Sequence, residues 1–187
     1  MNIVKNIISI ATLTILLSSC SQQNTPTQKN NAFKIKGALG LIIGQQAAGF
    51  PEGYIIENKA FPFTPDKPAP YFVSHTFSMT PNSHVIYGFK SKGSISQAKQ
   101  LCLQQRDTLI KETTDTYDTD NSTFKISTVE NKWTLRENNR REISIDCERS
   151  LNASNLQLVM TYQDTELSLL AYKEWAKRQS DITKFRP

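Results

Sequence analysis

Between residues 71 and 89 apolar and polar positions alternate with a period of two. Tyr71, Val73, His75, Phe77 and Met79 share one face, and Val85, Tyr87 and Phe89 return on the other side of Thr80-Pro81-Asn82-Ser83. Proline at the second place of that tetrapeptide suits a turn, so the stretch predicts a hairpin. From Ser94 the period lengthens. Ile95, Ala98, Leu101, Cys102 and Leu109 fall roughly on one face of a helix reaching about Lys111, with Ser94 and Gln97 as its capping box. Period two then resumes in four segments. They are residues 123–129 (Phe124 and Ile126 inward), 133–137 (Trp133 and Leu135), 141–148 (Ile143, Ile145 and Cys147) and 155–162 (Leu156, Leu158, Met160 and Tyr162). Short polar turns at 130–132, 138–140 and 150–154 make these an antiparallel meander. A last helix starts at Asp164 or Thr165 and buries Leu167, Leu170, Ala171 and Trp175, with Lys177 and Arg178 near its end. The expected architecture is α+β: an antiparallel sheet, hairpin plus meander, with two helices packed on one face. No internal repeat is found.

Ahead of the hairpin the pattern is less regular. Residues 33–43 read as a strand followed by a glycine-marked bend. Its glycines make no phosphate cradle, since Gly44 leads into Gln45-Gln46 rather than Lys-Ser/Thr. Gly40 and Gly44 have the spacing of a membrane-helix contact, but the segment is too short to span, and a close backbone approach within the domain is the expected use. Residues 50–71 hold Pro51, Pro62, Pro65, Pro68 and Pro70 among Phe50, Tyr54, Phe61, Phe63 and Tyr71. Proline at this density blocks a helix and a central strand, so the chain should run extended over a surface. Two readings follow. The segment straps a sheet edge, or its rings form a preordered surface that meets a partner, because rigid rings lose little entropy on binding.

The N-terminus changes the picture most. Lys5 precedes a mostly apolar run, Ile7 to Leu17, which is shorter than the about 20 residues a permanent span needs but suits the core of a secretory signal. The following Leu17-Ser18-Ser19-Cys20 resembles the lipobox of bacterial lipoprotein precursors. That resemblance covers only the first 20 or so residues. It implies a signal peptide of residues 1–19, cleavage before Cys20, and a covalent lipid on the Cys20 sulfur as membrane anchor. Ser21 in place of Asp is compatible, by the same resemblance, with sorting to an outer membrane and a periplasm-facing position. Residues 20–32 then form a lipidated cysteine and a polar tether with a reach of roughly 20 Å, and 33–187 form a single domain. In the oxidising compartment so implied, Cys102 and Cys147 are expected to pair, one from the helix and one from the inward face of a strand. Such a bridge is worth about 3–4 kcal/mol in the loop-entropy model.

Composition excludes more than it identifies. The chain has 187 residues, 38% hydrophobic, with a net charge of +5. Its cations are scattered, and Arg140-Arg141 is followed at once by Glu142, so these charges read as a solvated surface and not as a nucleic-acid site. There are two histidines. His75 reads as a satisfied core histidine and His84 as an exposed turn residue. Neither has the company that a zinc site or catalytic triad needs. Ser96-Gln97-Ala98-Lys99 matches the Ser-x-x-Lys of penicillin-recognising enzymes, but no Lys-Thr-Gly follows. Asp115, Asp118 and Asp120 resemble half a calcium loop that lacks its glycine and its final glutamate. Asn121-Ser122-Thr123 and Asn152-Ala153-Ser154 match the glycan-acceptor pattern, which has little meaning in a bacterial lipoprotein.

The functional expectation is therefore a non-catalytic envelope lipoprotein, without metal or cofactor beyond the lipid on Cys20. Its domain would bind an envelope protein or glycan, with Phe50, Tyr54, Phe61, Phe63 and Tyr71 as the candidate surface. Two alternatives stand beside it: an immunity or defence lipoprotein that occludes a toxin, hydrolase or phage component, and a small hydrolase with an unrecognised site.

Overall fold

A computed structural model describes residues 33–50, 60–67, 69–95, 98–117, 119, 123–149 and 156–184. Outside them lie the signal segment, Cys20 and the tether, Tyr54, Ser96 with Gln97 of the capping box, Asp118, Asp120, Asn121, Ser122, and the 150–154 turn with Asn152-Ala153-Ser154. The described chain runs β1 (Gly37–Ala38), β2 (Leu41–Ile42), β3 (Phe61–Pro62), β4 (Ser74–Met79), β5 (Ile86–Lys92), α1 (Lys99–Tyr117), β6 (Phe124–Val129), β7 (Lys132–Glu137), β8 (Arg141–Arg149), β9 (Leu156–Asp164) and α2 (Thr165–Lys184). Strands β1 and β2 form a small ribbon. The other seven make one antiparallel sheet in the order β3-β4-β5-β9-β8-β7-β6. This is the α+β class that the pattern predicted.

Turn chemistry explains the connections. Leu39 and Gly40 reverse the β1–β2 ribbon with φ of 58° and 86°. Asn138 and Asn139, at 49° and 56°, close β7 onto β8, where asparagine tolerates the left-handed region better than most residues. Between β4 and β5 the Thr80 hydroxyl accepts from the Val85 amide at 2.9 Å and shares a hydrogen bond with Ser83.

The register places alternate residues of β5, β7, β8 and β9 on one inward face. Phe89, Tyr162, Ile143 and Leu135 lie side by side across it, Met160, Ile145 and Trp133 form the next row, and Leu158 with Cys147 the one after. Cys102 and Leu109 of α1 and Leu167 of α2 join this same buried cluster, as do Ile35 and Ile43 from the N-terminal segment. Tyr162 stacks on Phe89, with ring centroids 4.5 Å apart. Burial pushes the Tyr162 phenol far above its ordinary range, and its hydrogen-bonded neighbour Tyr117 is raised by burial too.

Several expectations need correction. Helix α1 starts at Lys99 and continues to Tyr117. Its buried stripe is Cys102, Leu109 and Thr113, and Leu101, one step of about 100° away, is exposed, as is Ile95. Ile126 is also exposed, because α1 lies over β8 and β9 and leaves the edge strand β6 uncovered beyond Phe124. Val73 is exposed, since β4 begins only at Ser74. Leu170 lies at the margin of the buried side of α2, which Leu167 and Ala171 occupy. His84 is 2% exposed rather than a solvated turn residue. Residues 44–47 lie alongside the start of β5 there, with the Ala47 amide on the His84 carbonyl at 2.8 Å and the Phe50 ring 5.5 Å from the imidazole.

Candidate functional site

The largest departure from the sequence reading is at Arg140-Arg141. Arg141 is fully buried, with Asp164 and Glu137 beside it at 0% and 2% exposure. Each charge there has a defined use. The Arg141 guanidinium donates to the Ile35 carbonyl at 2.7 Å, to the Ile43 carbonyl at 3.2 Å and to Asp164 Oδ2 at 3.3 Å. Both Glu137 oxygens accept backbone amides, from Lys34 at 2.7 Å and Ile35 at 2.8 Å. Asp164 Oδ1 caps α2 by accepting from the Glu166 and Leu167 amides, while Arg140 bridges Asp164 to Glu166. The Phe33 ring lies against both guanidiniums, 5.0 Å from Arg140 and 4.6 Å from Arg141. Burial draws the Arg141 guanidinium below its ordinary value and Asp164 pulls it back up. A buried charge that is paired and hydrogen-bonded on every side is a structural device. It clamps residues 33–35 and Ile43 to the sheet.

The aromatic segment also turns inward. Phe61, on β3, lies 5.6 Å from Phe77 and 5.6 Å from Phe50. Phe63 approaches His75 at 5.6 Å, Phe77 at 6.2 Å and Phe89 at 6.3 Å, and Tyr71 packs on the core. The structure thus brings Phe50, Phe61 and Phe63 together as one half-buried layer over β4 and β5, while Pro62, Thr64 and Asp66 face solvent. As one of the two readings of the proline density had it, the described part of the segment straps the sheet edge, with β3 paired to β4. His75 belongs to this layer. Its Nδ1 shares a 2.8 Å hydrogen bond with Ser91 Oγ, and burial lowers its pKa.

At the opposite end of β8 an open cleft of about 540 Å³ is lined by Lys99, Lys132 and Arg149, by Glu130, Asp146 and Glu148, and by Val129 and Asn131. Its buried lining residues are Cys147 and Leu156. Cys147 is bonded to Cys102 of α1, with the Cα atoms 6.1 Å apart. Glu148 also reaches Lys90, at 3.2 Å. A rim with three cations and three carboxylates suits a polar or zwitterionic chain better than an apolar one. Lys99, read in the sequence only as part of Ser-x-x-Lys, is the one motif residue found here. Apart from Cys147, the others were legible only as turn or strand residues, because the cleft is assembled from four separated segments. Among the described residues no group of three or more His, Cys, Asp or Glu side chains could hold a metal ion, and no helix is long and apolar enough to cross a membrane.

No protein-family model matches the chain, and no curated protein or solved structure matches it either.

Proposed function

We propose that this chain is a bacterial envelope lipoprotein. Lipid on Cys20 holds it at a membrane, most simply the periplasmic face of the outer membrane, and its α+β domain is a non-catalytic module that binds another envelope protein or glycan. The observation that carries this reading is Leu17-Ser18-Ser19-Cys20, followed by a tether without a single apolar residue from Ser21 to Asn31. The clamp at Phe33–Ile35 supports it, because a tethered body needs a firm joint where the tether enters the fold. The mixed-charge cleft supports binding, since it gathers recognition groups of both signs.

The test is fractionation of cells making the wild-type chain or Cys20→Ala, combined with photocrosslinkers at Thr64 on the strap and Glu130 at the cleft. The wild type is expected in the membrane fraction with a discrete crosslinked partner, and Cys20→Ala in the soluble fraction. Co-fractionation of both forms with membranes would overturn the anchor. Absence of a crosslink at either position would remove the binding role from these two surfaces.

A further inference from the structure

The two edges of the seven-stranded sheet are treated differently by the chain. The β3 edge is two residues long and ends in Pro62, which has no N–H to offer. The β6 edge is six residues long, Lys125 to Val129 are all exposed, and among the described residues β7 is its sole neighbour in the sheet. Its backbone polarity follows from the β6–β7 turn. Glu130, with φ of 54°, and Asn131 form a two-residue connection, so Val129 and Lys132 are a hydrogen-bonded pair. Alternation along the ladder then turns the N–H and C=O groups of Lys125, Ser127 and Val129 toward β7. Those of Phe124, Ile126 and Thr128 face outward.

We propose that this edge accepts an extended segment of another protein, in which apolar and acidic residues alternate, as an eighth strand. Main-chain hydrogen bonds would come from the outward groups, and side chains would set specificity. Ile126, 50% exposed on the side where Trp133 and Leu135 are buried, provides the apolar contact. The other side carries Lys125, with its cross-strand neighbour Arg136 and nearby Lys132. Arg136 and Lys132 share one carboxylate, that of Glu142, and Lys125 has only a 3.3 Å contact to the Asn139 side chain. The surplus is positive and on one face. A second copy paired edge to edge would bring the same cation row to the same face, with its one carboxylate, Glu142, already shared by Arg136 and Lys132. The field therefore favours an acidic strand over self-pairing. This deepens the binding reading by naming a partner class, and it does not depend on the anchor at Cys20.

The test uses the purified full-length chain and a seven-residue peptide of alternating Val and Glu, acetylated and amidated, against the same peptide with Lys for Glu. Fluorescence anisotropy should show at least tenfold tighter binding of the Glu peptide, with amide-exchange protection gained at Ile126 and Thr128. Thr128→Pro removes an outward N–H and leaves the β7 ladder intact, so it should weaken binding at least tenfold without shifting Tm. Lys125→Glu should reverse the preference between the peptides, and this arm decides if the proline variant fails to fold. Equal affinity for the two peptides, binding to neither, or indifference to Lys125→Glu would overturn the proposal. So would a concentration-dependent dimer that Thr128→Pro abolishes. Membrane fractionation of the same variants reports separately on the lipid anchor, so the two claims can fail independently.

Discussion

Strand β8 carries charges at both ends, and the two ends behave in opposite ways. Arg141 is buried at one end among Glu137, Asp164 and two backbone carbonyls, whereas Arg149 at the other is exposed on the rim of a cleft with Glu130 and Asp146. The difference lies not in the charges but in what arrives beside them. Residues 33–43 bring amides to Glu137 and carbonyls to Arg141, and the first turn of α2 brings amides to Asp164. At the cleft, Lys99, Glu130, Asp146 and Arg149 meet solvent instead. A charge is structural where the chain returns to satisfy it, and available for recognition where it does not.

Substitution should separate the ends sharply. Arg141→Ala takes the buried cation from beside Glu137 and leaves Asp164 with Arg140 alone, and the expected loss is about 3–5 kcal/mol in equilibrium urea unfolding. Arg149→Ala should stay within about 0.5 kcal/mol, as for an exposed side chain without a special role. Comparable losses at both positions would erase the contrast. Next in size is the bridge beneath the cleft. Cys102→Ser together with Cys147→Ser should cost about 3–4 kcal/mol, given the 45-residue separation it closes. Removing the Phe33 ring from its two guanidiniums should cost about 1–2 kcal/mol, read as a lower urea midpoint for Phe33→Ala.

The smallest expected effect is a pH slope. Folding lowers the His75 pKa, so the unfolded chain takes up the proton first. Stability should therefore fall as pH drops through the unfolded value near 6.5, and should be level above it. His75→Gln should flatten this part of the profile of urea midpoint against pH. An unchanged slope would assign it to another group.

The meander was legible because period-two alternation and one-sided burial coincide there. Trp133 and Leu135, Ile143 and Ile145, and Leu156 and Leu158 are all buried as the pattern requires. The cysteine pair was legible for the same reason, once an oxidising compartment was inferred from the N-terminus. Ile126 alternates just as regularly, yet it is exposed, since local pattern cannot say how far α1 extends over the sheet. Arg141 reads as solvated because its partners Ile35 and Ile43 lie 106 and 98 residues away, while its nearest carboxylate in sequence, Glu142, faces the other side and pairs with Arg136. The cleft was hidden by its assembly from four separated segments. The inward turn of Phe61 and Phe63 follows from β3 joining β4, a pairing that proline-rich sequence does not announce.

Attachment through Cys20 is the central proposal, and the intact mass of the chain extracted from membranes tests it most directly. The predicted result is a polypeptide beginning at Cys20 with the added mass of a thioether-linked diacylglycerol, lost in Cys20→Ala. A chain that retains residues 1–19, or one that begins elsewhere and carries no lipid, would contradict it.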